Sequence, residues 1–276
     1  MSKHHADVEA LLPGSRRFTF ADAGLTFPVV VAGEGPAVIV MAEMPGITPA
    51  VLAFAERVRA LGCSVWLPVL FGEVGRPLGP AYLASSLRTA CVAREFAAFA
   101  TGKTAPVTRW LRALAHHAHA ECGGPGVGAI GMCFTGGFAL GMLLDESVVA
   151  PVLSQPSLPI GPGRRRAADL HLSPDDADAV AARVERDDLQ VLGLRFSCDR
   201  LARAERFGSL RDLLGDRFIG VEIDSSRGND AGIPLVAHSV LTEHLVDEAG
   251  HPTRDALDRV LAFLRDRLTA SPDRES

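Results

Sequence analysis

The sequence predicts an α/β protein: a mostly parallel sheet with helices on both faces and an N-terminal antiparallel hairpin. Three observations predict it. Short β-favouring runs alternate along the chain with segments whose apolar residues recur at helical spacing. Several of the runs are apolar throughout, as buried strands are, and strands alternating with helices imply a parallel sheet covered on both sides. The length of 276 residues, 47% hydrophobic and 22% charged with 27 Gly and 18 Pro, supplies a core for one domain spanning residues 1–276 and carries no signature of disorder.

Taken in order, residues 18–20 and 28–32 read as the hairpin, leading into a buried strand at 37–42. Between 48 and 61, Val51, Leu52, Phe54, Ala55 and Val58 keep helical spacing, and Gly62 supplies a stop. Residues 63–70 are strand-like again, so this is a βαβ unit with parallel strands. Residues 83–99 and 106–119 read as helices, 126–130 as a short buried strand, 136–144 as the helix that follows it, and 148–153 as the next strand. Ser173 stands in N-cap position before a polar, Asp-rich helix at 174–186. Strands at 191–196 and 218–223 flank a helix near 201–214, and 252–268 is an amphipathic C-terminal helix. Residues 155–190, rich in Pro, Gly and charge, are expected to form a lid or excursion over the sheet, and 1–14 and 270–276 flexible tails.

The charge balance of 28 basic against 33 acidic side chains, with no basic half, gives no electrostatic reason to expect a nucleic acid or an anionic membrane as partner. No apolar run approaches the ~18 residues of a membrane span, and the first 15 residues lack a secretory pattern, so a cytoplasmic protein is expected. Five cysteines without CxxC spacing point to free thiols rather than a disulfide framework or a zinc knuckle.

One of them has a special setting. Gly131-Met132-Cys133-Phe134-Thr135-Gly136-Gly137 follows an apolar run and precedes a helix, the strand-turn-helix context of a nucleophile elbow. Small residues two positions either side leave room for the strained turn, and Thr135 meets that need less comfortably than Gly131. The following helix aims free N–H groups at the sulfur, with Phe134 N–H as an oxyanion donor. Such a nucleophile needs a carboxylate and an imidazole later in the chain, in that order. Asp199 follows the strand at 191–196, and His238 lies in a loop past the strand at 218–223. His244 reads as belonging to a helical turn away from that loop's apex, and Asp199 could also cap the helix ahead of Leu201.

Other readings are weaker. A buried structural thiol is the plain alternative for Cys133. His116, His119 and Cys122 share a helix but lack a fourth ligand, so no metal is expected. Gly126, Gly128 and Gly131 match GxGxxG, yet the strand falls inside the glycines rather than before them, so no dinucleotide is expected either. Ser154 and Ser239 lack an elbow setting.

Met41 to Ile47, the GxC elbow with Gly136-Gly137, Cys198-Asp199 and Ala237-His238-Ser239 together resemble the dienelactone hydrolase family, over residues 38–268. The resemblance implies an α/β-hydrolase fold, a cofactor-free hydrolase of esters or lactones and a Cys133–His238–Asp199 triad working through a thioester. It also implies that Glu43 holds the thiol until substrate displaces it, and that Met44 N–H joins Phe134 N–H in the oxyanion hole. Of the two arginines that grip a substrate carboxylate in that family, Arg94 matches one, whereas Thr242 stands at the other's position. Arg164-Arg165-Arg166 could replace the missing charge, although a solvated basic loop is the plainer reading. The resulting expectation is a small ester or lactone as substrate and a monomer or homodimer; the alternative is a non-catalytic ligand-binding or thiol-sensing protein on the same fold.

Overall fold

The computed structural model describes residues 8–92, 96, 101–157 and 163–269. Eight strands build one sheet: β1 (Arg16–Asp22), β2 (Leu25–Ala32), β3 (Ala37–Met41), β4 (Ser64–Pro68), β5 (Val127–Met132), β6 (Val148–Ser154), β7 (Val191–Phe196) and β8 (Phe218–Ile223). Their order across the sheet is β1-β2-β4-β3-β5-β6-β7-β8. β1 and β2 form the expected hairpin, β2 pairs antiparallel with β4, and β3 to β8 run parallel. The helices are α1 (Val8–Leu11), α2 (Pro49–Arg59), α3 (Pro80–Val92), α4 (Val107–Cys122), α5 (Gly136–Met142), α6 (Arg164–Ala168), α7 (Pro174–Arg186), α8 (Ala204–Leu214) and α9 (Pro252–Leu268).

Strand alternation divides the core into two layers. In β3, Ala37, Ile39 and Met41 pack on one side with Trp110 and Leu114 of α4, Phe138 of α5, Val180 of α7 and Phe207 of α8. Val38 and Val40 face the other side, where Val51 and Phe54 of α2 and Leu257 and Leu264 of α9 cover them. All of these side chains are almost wholly buried; each withdrawn from water contributes ~1.5–3 kcal/mol. With both faces covered, the central strands β3 and β5 carry apolar residues throughout and read as continuous apolar runs.

Helix ends differ from the sequence reading where caps decide them. α3 starts at Pro80 rather than Leu83, because proline's fixed φ suits the first helical position. Most of the residues through which it is expected to continue, 93–95 and 97–99, lie outside those described. α4 runs on to Cys122, and Gly123 at φ +69° ends it by donating its N–H to His119 O at 2.8 Å. α8 starts at Ala204 because residues up to Arg203 are used in the turn around Asp199.

The excursion carries α6 and α7. Ser173 caps α7 as expected, accepting from Asp176 N–H at 3.2 Å. The topology matters most at β3 and β5, which are sheet neighbours. The chain leaves β3 for α2 on one face and β5 for α5 on the other, and such switch points open a crevice at the strand ends.

Candidate active site

Cys133 sits in that crevice at the end of β5, with φ +55°, opening a 3-10 turn (Cys133–Thr135) that runs into α5. A non-glycine residue in this region carries strain that its surroundings must hold. Glycine is required at 131, because a Cβ there would lie 2.3 Å from Thr135 O. Thr135 is wholly buried and supplies the holding contacts. Its Oγ1 accepts Met132 N–H at 2.8 Å and lies 3.0 Å from Met41 O, which ties the turn to the end of β3. The threonine that looked awkward in sequence is thus a clasp between the two strand ends.

His238 and Asp199 lie together. His238 Nδ1 lies 2.7 Å from Asp199 Oδ2. Asp199 Oδ1 also accepts Leu201 N–H at 2.8 Å, so the capping and orienting roles coexist. Arg195 sets the turn that carries the acid: its Nε donates to Ala202 O at 2.8 Å, its Nη2 to Ser197 O at 2.9 Å, and it pairs with Glu222. Burial opposes ionisation of Asp199, but hydrogen bonds from His238, Leu201 and Ala202 hold its carboxyl below the usual carboxylate range. Burial likewise opposes protonation of His238, and the charge of Cys133 and the bond to Asp199 overcome it, raising the imidazole well above its usual value. Nε2 of His238 is buried and has no hydrogen-bond partner among the described residues.

His244 is not remote from this loop, as its sequence setting implied. Its Nδ1 accepts Ser239 N–H at 3.2 Å and His238 N–H at 3.5 Å, closing the turn that presents His238. Burial lowers its pKa, which keeps that nitrogen an acceptor.

Glu43 lies next to the site, its carboxylate bonded to groups other than the thiol. Its buried carboxylate accepts Ser239 Oγ–H at 2.5 Å, Gln155 Nε2–H at 3.1 Å and the Thr242 hydroxyl. It therefore fastens the end of β3 to the end of β6 and to the His238 loop. Ser157 lies against the thiol: its Oγ is 3.1 Å from Cys133 Sγ and its N–H donates to Cys133 O at 2.9 Å. Met44 follows Glu43 in a turn closed by Gly46 N–H to Glu43 O at 2.8 Å. Phe134 is buried against Phe138, at 5.2 Å between ring centroids, and Phe96, at 6.0 Å.

Ser154 and Ser239 are engaged with Gln155 and Glu43. Arg94 lies outside the described residues. Among those described, no group of three or more His, Cys, Asp or Glu is arranged to hold a metal, and no helix is long and apolar enough to cross a membrane. Gly128 and Gly131 fall inside β5, so the glycine pattern belongs to a strand. Sequence reasoning missed Ser157, Gln155, Arg206 and the part played by His244. Only Ser154-Gln155-Pro156-Ser157, polar and just past a strand end, carried a local signal.

No protein-family model and no curated protein matches the chain. Solved structures do. A dienelactone hydrolase-like promiscuous phosphotriesterase from metagenomic libraries superposes with a TM-score of 0.59 at 18% identity, covering 92% of this chain and 98% of that one. A cold-adapted esterase from an Arctic intertidal metagenomic library gives 0.57 at 16% identity, covering 92% and 94%. The chain has the α/β-hydrolase fold.

Proposed function

We propose that this chain hydrolyses small esters or lactones, with Cys133 as nucleophile, His238 as proton carrier and Asp199 as the group that orients it. Two observations support the reading: Cys133 is held at φ +55° in a turn at a strand end, and the His238 imidazole has one nitrogen 2.7 Å from the buried Asp199 carboxylate. Esterase activity in proteins of similar fold supports it.

His238, raised by the sulfur and by Asp199, holds the proton that Cys133 gives up on attack. The sulfur adds to the ester carbonyl carbon, and the electron pair of the C=O bond moves onto oxygen, where Phe134 and Met44 N–H groups receive it. Collapse re-forms the C=O bond and expels the alkoxide, which takes the His238 proton and leaves a thioester. His238 then removes a proton from water, the hydroxide adds to the thioester, and the acid departs as the thiolate and imidazolium return. Glu43 acts by anchoring the oxyanion loop to the His238 loop. Arg94 is the proposed grip for a substrate carboxylate.

The test is turnover of p-nitrophenyl acetate by the full chain and by Cys133→Ala at equal Tm. Turnover falling ~10³-fold or more supports the reading. Unchanged turnover in the variant refutes it, as does a wild-type thiol that peroxide converts to the sulfenic acid while every ester offered stays intact.

A further inference from the structure

We infer that Ser157 is a further residue of the site: its hydroxyl donates to the Cys133 sulfur and fixes the direction of attack, and Arg206 holds Ser157 there. The inference rests on the proposed role of Cys133.

Ser157 touches Cys133 at two points, Oγ to Sγ at 3.1 Å and N–H to the Cys133 carbonyl at 2.9 Å, so the hydroxyl is tied to the turn it serves. It is 5% exposed, and a donor to a charged acceptor is worth most where water is excluded. The Glu43 carboxylate is taken by Ser239, Thr242 and Gln155, and the Ser157 hydroxyl lies against the sulfur.

Arg206 secures it from α8. The guanidinium is 4% exposed and donates to Pro156 O at 2.8 Å, Arg166 O at 3.0 Å and Asp169 O at 2.6 Å. Pro156 is Ser157's neighbour in the chain, so the bond to its carbonyl pins the serine directly. Ser157, Asp169 and Arg206 also line one small cavity of about 10 Å³. The charged groups acting on this corner are His238 from its loop, Asp199 from the turn after β7, Asp169 from the excursion and Arg206 itself. Ser157 adds a neutral donor among them, able to follow the sulfur as its charge changes.

The test is the rate of Cys133 alkylation by iodoacetamide, followed by mass across pH on the full chain, with Cys133→Ala as background for the other thiols. Ser157→Ala is expected to react about tenfold more slowly near neutral pH, the equivalent of about one unit of displacement of the profile to higher pH, and Ser157→Thr to stay near wild type. Alkylation of Ser157→Ala as fast as wild type or faster would overturn the inference, since the hydroxyl would then be an acceptor or a bystander. A Ser157→Thr variant as slow as Ser157→Ala would overturn it too, by assigning the effect to packing. Alkylation needs no ester, so a Cys133→Ala protein that retains turnover would remove the proposed reaction while leaving the contact to be read.

Discussion

A buried arginine holds the C-terminal end of the short helix α5 and another holds the excursion packed against its N-terminal end, and the two differ in what balances their charge. At the C-terminal end, Arg183 of α7 donates to the carbonyls of Leu143, Asp145, Glu146 and Val148 and pairs with Asp187 at 3.1 Å. At the N-terminal end, Arg206 of α8 donates to three carbonyls of the excursion, with no carboxylate at ion-pair distance among the described residues. Burial pulls its pKa down to about 10, which leaves it protonated at neutral pH, and the charges that favour its protonation are Asp169, Cys133 and Asp199. A buried cation costs free energy unless something compensates it. Arg183 is neutralised on the spot and clamps a helix end. The positive field of Arg206 is left to act on the corner where a thiolate is proposed.

Replacing either arginine by methionine is the largest test of this contrast. Each variant strands several buried carbonyls, and a loss of about 3 kcal/mol or more is expected from the urea midpoint at unchanged slope. The two should part company at the sulfur. Arg183→Met should leave the iodoacetamide rate of Cys133 within about twofold of wild type, whereas Arg206→Met should slow it by about tenfold. Equal rates would show that both arginines are only clamps.

A smaller effect is expected at the acid. Asp199→Asn should lower ester turnover about 10²-fold or more, because the imidazolium loses its partner. Its stability should also depend on pH in a defined sense. The folded Asp199 carboxyl is held below its usual range, so it contributes stability above the unfolded value of about 4 and loses it as pH falls through the folded one. The Tm gap between wild type and Asp199→Asn should therefore be open at pH 7 and close below about pH 4. A gap that stays constant down to pH 3 would mean that His238 contributes nothing to holding the carboxylate.

Smallest is the clasp at the N-terminal end of the same helix. Thr135→Ala removes the bonds to Met132 N–H and Met41 O and should cost about 1–2 kcal/mol, with Thr135→Ser recovering most of it. An alanine variant as stable as wild type would show that the turn holds its φ without the hydroxyl.

Legibility from sequence follows the distance over which each feature is determined. The turn at Cys133 could be read because strand, small residues and helix are contiguous, and Asp199 and His238 could be read because each follows a recognisable strand. Helix α7 was legible to the residue, since Ser173 and Pro174 mark its start locally. The contacts of Glu43 were not, because Ser239 and Thr242 reach it across nearly two hundred residues of chain. Ser157 and Arg206 were hidden for the same reason: Ser157 and the partners of Arg206 lie on an excursion whose path depends on tertiary packing. Thr135 was read as a blemish because a pattern of residue sizes carries no information about the hydrogen bonds a side chain will form.

The central claim, that Cys133 is the atom acylated, has a direct measurement. The full chain is mixed with p-nitrophenyl acetate, quenched in acid within the first turnovers and mapped by peptide mass. An acetyl group on the peptide bearing Cys133, lost in Cys133→Ala and cleared by waiting before the quench, is the expected result. An acetyl group on a serine, or steady turnover with no acyl peptide at any time, would contradict the account.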